Sequence, residues 1–339
     1  MKLLWLVLQF AVCAALIARA GYVLSRSADR LADLLGWARG WVGLALLATV
    51  TSLPELASGI SAVTFVDAPN LAVGNALGAC VVNLAFLVVV DALQRHQPMY
   101  RAAAATHLLA AGFGVVMLGF VALGLVGAQR APALLHLGVY SPLLLGLYLL
   151  ALRSVHAHEM NALAAAGPGG ADELPPLEHA LQTRREWRRF GIAALVVVLA
   201  GSWLPEAADQ LAGALGLSHS FVGTVFMALV TTLPEMAVTV GALRVGALDM
   251  AIGNLLGSNL FNVMILAIDD AFYTRGPLLV DASPAHLGTT VTALVMTGLV
   301  IVGLVMRPEG RVLRVTSWVS LGLVAAYAIN ASLVFLGGE

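Results

Sequence analysis

Apolar residues run along this chain in blocks long enough to be membrane-spanning helices. Ten blocks fall near residues 3–25, 41–64, 70–93, 103–127, 132–153, 190–212, 220–245, 248–272, 285–306 and 312–336. About 20 such residues cross the hydrocarbon core of a bilayer. The pattern therefore predicts an all-α polytopic membrane protein with about ten transmembrane helices. The longest polar stretch, 154–189, holds AAAGPGGADELPP and then Arg184, Arg185, Arg188 and Arg189. It reads as a surface linker between a first five-helix half, residues 1–153, and a second, residues 190–339.

Composition agrees with that reading. Of 339 residues, 60% are hydrophobic and 11% charged, and mean hydropathy is +0.91. A soluble domain carries roughly 25% charged residues, so a soluble enzyme, a disordered chain and a nucleic-acid binder are excluded. Eighteen basic residues balance nineteen acidic ones, leaving no field to attract an anionic partner. Cys13 and Cys80, both in apolar runs, imply no disulfide framework.

Arginines set the orientation. Arg26, Arg30, Arg39, Arg95, Arg101, Arg153, the four of the linker, Arg244, Arg307, Arg311 and Arg314 fall in one set of alternate loops. The other set has Lys2, Arg130 and Arg275, and Arg19 is placed at a helix end. The expected location is the plasma (inner) membrane, with linker 154–189 cytoplasmic and both termini outside. Lys2, an apolar run and Ala18-Arg19-Ala20 also resemble a cleavable signal peptide. A repeat partner for the first helix argues against that.

The repeat is internal. Residues 28–57 and 208–237 align without a gap at an offset of 180, with fifteen of thirty positions identical. Residues 72–93 and 251–272 align at an offset of 179. Five spans per half is an odd number, so the second copy enters the membrane from the opposite side. This predicts an inverted-topology repeat, an architecture of secondary transporters whose substrate site lies where the repeats meet.

The repeat carries its polar residues into apolar spans. Thr51-Ser52-Leu53-Pro54-Glu55 recurs as Thr231-Thr232-Leu233-Pro234-Glu235. A carboxylate inside a membrane helix costs a few kcal/mol on insertion scales, so two at equivalent places suggest a shared purpose. Each proline lacks an amide hydrogen and frees the carbonyl four residues back, that of Val50 or Val230. Such breaks are tolerated where they line a cavity. Thr51 and Glu55 share a helical face with Ser52 beside them, as do Thr231, Glu235 and Thr232. These groups form an all-oxygen set of the kind Ca²⁺ and Na⁺ prefer. Asn83 and Asn262 add amide oxygens, and Ser258 a hydroxyl in the second copy alone.

Other polar residues suggest structural roles. Asn75 and Asn254 can bond helix to helix, and Asp91 and Asp270 suit helix ends and caps. Glu206 and Asp209 suit the outer mouth, and His107 and His136 suit helix packing. His156-Ala157-His158-Glu159 is not the HExxH zinc motif.

The paired TSLPE-type segments and the GNxxGxxxxN segments at 74–83 and 253–262 resemble the two alpha-repeats of the cation/calcium antiporter superfamily, and most nearly its prokaryotic sodium/calcium exchangers. The resemblance covers essentially the whole chain. It implies ten helices in two inverted halves and exchange of Ca²⁺ for Na⁺, or for H⁺ in other branches, by alternating access. It implies Glu55 and Glu235 as the central calcium ligands, with the carbonyls of Ala48 and Ala228 and the hydroxyls of Thr51 and Thr231 completing the cage. Ser52, Thr232 and Ser258 would serve sodium, and Asn83 and Asn262 would face the centre. No cofactor is implied; the transported ions and the bilayer are the partners. Val50 and Val230 stand where the family usually has Gly, and Ala79-Cys80 where it often has Ser-Asn. Asn262 stands where some relatives have Asp. Proton-coupled exchange, with Glu55 or Glu235 carrying the proton, and a non-transporting membrane protein are the alternatives. No nucleophile–base set supports an enzyme.

Overall fold

The computed structural model describes residues 2–35, 47–94, 98–104, 106–127, 133–166, 176–244, 246–310, 312 and 316–337. Arg39, Arg95, Arg130, Arg311, Arg314 and the middle of the expected linker lie outside the described residues. The helices are α1 (Lys2–Leu34), α2 (Ala48–Thr51), α3 (Leu53–Ser61), α4 (Pro69–Leu93), α5 (Met99–Ala102), α6 (His107–Gly127), α7 (Tyr140–Ala166), α8 (Pro176–Leu215), α9 (His219–Phe221), α10 (Ala228–Thr231), α11 (Leu233–Arg244), α12 (Leu248–Phe272), α13 (Ala285–Met306) and α14 (Trp318–Gly337). Wide π-helical turns, Ala62–Val66 and Val222–Met227, adjoin the two broken segments. A two-stranded hairpin, Ala133–Leu134 with Leu137–Gly138, precedes α7.

Among the described residues seven helices are long and apolar enough to cross a membrane, or eight if the pair His219–Thr231 and Leu233–Arg244, bent by 41°, is one span. α4 and α12 are largely buried. They pack against each other at the centre, whereas α1 and α14 turn many leucines and valines outward. Close approach depends on small residues: a Cβ at Gly78 of α4 would overlap the Thr224 backbone of the second π turn.

Three helices, α1, α7 (to Ala166) and α8, are longer than their apolar blocks. α1 runs to Leu34 and α8 begins at Pro176, so residues 154–166 and 176–189 of the expected linker are helical. Proline suits a first helical turn. The extra turns of α1 and α8 are tied together: Arg30 pairs with buried Glu186 at 3.2 Å, and His179 Nε2 donates to the Leu34 carbonyl at 2.8 Å. Charges that read as loop are the contacts of a helix pair.

The frame repeats its hydrogen bonds. Asp91 accepts from the Met99 and Ser317 amides at 3.2 and 2.7 Å and from the Ser320 hydroxyl at 2.8 Å. Asp270 accepts from the Leu278 and Gly138 amides at 2.6 and 2.8 Å and from the Ser141 hydroxyl at 2.5 Å. Asp91 and Asp270, Met99 and Leu278, Gly138 and Ser317, and Ser141 and Ser320 are each 179 apart. Both aspartates thus hold backbone where a following helix or turn begins. A second reciprocal set joins the halves. Asp249 accepts from the Ala104 amide at 2.8 Å and from His107 Nε2 at 3.0 Å. Asn70 accepts from the Ser283 amide at 2.6 Å and from His286 Nε2 at 3.2 Å. Those positions too differ by 179. His107 is therefore hydrogen-bonded as well as packed. His136 Nε2 donates to the Ala271 carbonyl at 3.1 Å. Glu206, on the surface, accepts from Gln210, and Asp209 pairs with His219 at 3.0 Å.

Candidate functional site

The breaks fall where the prolines dictate. α2 ends at Thr51 and α3 starts at Leu53, with Ser52 between them at φ −87° and ψ 13°. α10 and α11 flank Thr232, at φ −80° and ψ 1°, in the same way. The two breaks lie against α4 and α12. Thr51, Ser52, Glu55, Asn83, Thr231, Thr232, Glu235, Ser258 and Asn262 are all fully buried, and Ala48 and Ala228 nearly so.

Side chains from opposite halves meet there. Ser52 donates to Glu235 Oε1 at 2.7 Å. Thr51 and Ser258 hydroxyls lie 3.4 Å apart. Thr231 donates to Asn75 Oδ1 at 3.1 Å, and Asn75 Nδ2 donates to Ser58 at 3.0 Å. Asn254 Nδ2 reaches the Glu235 carbonyl and the Thr239 hydroxyl, each at 3.3 Å. Asn75 and Asn254 are thus helix-to-helix ties. The two glutamates are close enough to interact electrostatically, and Thr231 lies beside Glu55.

Several buried polar atoms of the expected site residues are left unpaired. Both carboxylate oxygens of Glu55, Oε2 of Glu235, and both amide atoms of Asn83 and of Asn262 have no hydrogen-bond partner. Leaving a buried polar group unsatisfied costs about 1–3 kcal/mol, more for a charged one. Carboxylate and amide oxygens without donors fit a hard cation. Among the described residues no three His, Cys, Asp or Glu side chains cluster as a metal site. The oxygen set therefore rests on two carboxylates plus hydroxyls and amides. The Ala48 carbonyl already accepts from the Ser52 amide and the Thr51 hydroxyl, at 3.1 and 3.3 Å. The Ala228 carbonyl accepts from the Thr232 amide at 3.1 Å and from the Thr231 and Thr232 hydroxyls at 3.3 and 2.8 Å. Neither carbonyl is free.

Two features were not among the expected site residues. Cys80 and Asn259 are 179 apart and bond to each other's backbone: Asn259 Nδ2 to the Cys80 carbonyl at 3.2 Å, and Cys80 Sγ to the Asn259 carbonyl at 3.7 Å. Asp269 is fully buried with neither oxygen hydrogen-bonded. Its carboxylate lies against Gly59, one helical turn beyond Glu55, in the space a Cβ there would occupy. The equivalent positions hold Val90 and Thr239, so this acid breaks the repeat. The extra Asp in IDDAF was its only sequence signal.

Comparison with known proteins agrees with this architecture. The chain is 29% identical over 290 residues to the putative antiporter CaxA of Alkalimonas amylolytica, covering 84% of this chain and 86% of that one. It is 24% identical over 347 residues to the sodium/calcium exchanger MaX1 of Methanosarcina acetivorans, covering 91% and 93%. Its fold is similar to the crystal structure of the sodium-calcium exchanger NCX_Mj soaked with Na⁺ and Sr²⁺, with a TM-score of 0.64 at 20% identity over 97% of this chain and 99% of that one. The model of the sodium/calcium exchanger protein family matches residues 5–153 and 187–336, most of the chain, and the chain belongs to that family.

Proposed function

We propose that the chain is a secondary-active antiporter that exchanges Ca²⁺ for Na⁺ across the plasma (inner) membrane by alternating access. In this reading ten spans form two inverted five-helix halves, with the linker cytoplasmic and both termini outside. The hydrogen bonds that recur at an offset of 179, and bridge the halves reciprocally, support the inverted repeat. The observation that carries the function is the pair of buried carboxylates, Glu55 and Glu235, one from each half, which interact electrostatically and leave three of their four oxygens without a hydrogen bond.

One Ca²⁺ binds between Glu55 and Glu235, which together balance its charge, with the hydroxyls of Thr51 and Thr231 and the amide oxygens of Asn83 and Asn262 alongside. The Ala48 and Ala228 carbonyls join when the threonine hydroxyls give up their local bonds. Na⁺ uses Ser52, Thr232 and Ser258 and competes for the same carboxylates, so the two ions exclude each other and exchange is coupled. An ion shifts the access equilibrium only by its differential affinity for the two states. The family relationship and the hydroxyl set favour sodium over protons. In proteoliposomes, Ca²⁺ uptake should follow a sodium gradient and fall to background in Glu55→Gln and Glu235→Gln while both variants still fold. Wild-type uptake in either variant refutes the assignment. Uptake driven by a pH gradient without sodium would assign the coupling to protons instead.

A further inference from the structure

α1 and α8 pack along each other, and the second half of α1 and the N-terminal third of α8 form a partly open cavity of about 340 Å³. Arg19, Tyr22, Arg26 and Arg30 line it from α1, and Glu186 and Arg189 from α8. Positions 19, 26 and 30 are seven and four apart, so the three arginines share one helical face. Arg30 and Arg189 converge on the buried Glu186 carboxylate at 3.2 and 2.8 Å. Arg19 and Arg26 form no ion pair among the described residues. Four guanidinium groups thus face one carboxylate.

Depth makes the cluster informative. α1 has 33 residues, about 50 Å at 1.5 Å per residue, longer than a hydrocarbon core of about 30 Å. Its last turns reach the head-group level, and Arg19 lies inside the apolar stretch Leu3–Leu31. A cation at that depth is costly unless it is paired or reaches a polar surface. Leu16, one turn before Arg19, and Ile192 and Leu195, one and two turns after Arg189, are exposed, as is Trp187 next to Glu186. Tryptophan is enriched at the membrane interface. The walls therefore offer cations to a head group and apolar side chains to acyl chains.

We propose that this cavity binds the phosphate head group of an anionic phospholipid, with its acyl chains along Leu16, Ile192 and Leu195. Basic pockets between transmembrane helices take such head groups, and in the orientation proposed above the leaflet is the inner one. Purified intact protein in neutral detergent, titrated with phosphatidylglycerol or phosphatidylcholine and read by native mass spectrometry, tests this without reference to transport. One phosphatidylglycerol should be retained per chain, with affinity about fivefold weaker in Arg19→Gln and in Arg26→Gln. Arg153→Gln, an exposed arginine of α7, should bind as the parent does. Thermal melts show that the variants are folded. Unchanged phosphatidylglycerol binding in the Arg19→Gln/Arg26→Gln double variant overturns the proposal, as does equal binding of phosphatidylcholine. Displacement of the lipid by an equal concentration of inorganic phosphate would make this a free-phosphate site and overturn the lipid assignment.

Discussion

Glu55 and Glu235 hold equivalent places in the repeat but meet different surroundings. Ser52 pins one oxygen of Glu235 at 2.7 Å. The counterpart of Ser52, Thr232, bonds instead to the Ala228 and Leu229 carbonyls, and neither oxygen of Glu55 accepts a hydrogen bond. Ser258 stands beside Thr51, whereas its counterpart Ala79 offers no hydroxyl to Thr231. Asp269 lies beyond Glu55, where the other half has Val90. Far from the centre, Asp91 and Asp270 keep three matching partners each and differ in the fourth, Thr316 for Asp91 and Tyr140 for Asp270. The duplicated frame has largely been kept and the duplicated site has diverged, so one carboxylate is held by a hydrogen bond across the halves and the other is not.

Substitutions can break or sharpen that contrast. The largest loss of stability is expected from Gly59→Ala, whose methyl group would overlap the Asp269 carboxylate. Overpacking costs about 1–3 kcal/mol, occasionally more, so the melting midpoint in detergent should fall clearly. Asp269→Ala in the same chain should restore it, and a failure to restore would mean that Asp269 is not what Gly59 accommodates. Next come Asp91→Asn and Asp270→Asn. Each weakens several hydrogen bonds to a charged acceptor but keeps one acceptor oxygen, and should cost about 1–2 kcal/mol. The frame predicts equal losses, so unequal melts would show that it too has diverged. At the site, Ser52→Ala should weaken Ca²⁺ binding about tenfold, by loss of one charge-assisted hydrogen bond. Thr232→Ala should weaken it less than about threefold, since Thr232 holds no carboxylate. Calcium-dependent thermal stabilisation measures both, and equal effects would erase the distinction between the glutamates. The smallest effect belongs to Ala79→Ser, which supplies the missing hydroxyl. It should raise sodium affinity by about twofold to fivefold, within the net value of one hydrogen bond, as read from sodium competition against Ca²⁺ binding.

Much of this was legible in the chain because the repeat copies polar residues as well as apolar ones. Composition makes any two membrane helices look alike, but shared Pro54 and Pro234, Glu55 and Glu235, and Asn83 and Asn262 do not arise that way. They marked both breaks and the residues around them. The ends of α1 and α8 were not legible, because Arg30 read as loop and His179 and Glu186 as linker until the two helices lie side by side. Nor were the pairings across the halves. An offset says which residues are equivalent and nothing about which ones touch, so Ser52 with Glu235 and Asp269 with Gly59 needed coordinates. Asn75 and Asn254 fell between: their types suggested interhelical bonds, and only packing named Ser58, Thr231 and Thr239 as partners.

The mutual contact of Cys80 and Asn259 has a geometric consequence. Under any two-fold relation, only a residue lying on the rotation axis can touch its own counterpart. These two are counterparts and each bonds the other's main chain, so the axis of the proposed repeat passes between them. A bulky label on the buried Cys80 sulfur would therefore wedge α4 away from α12 where the halves touch across that axis.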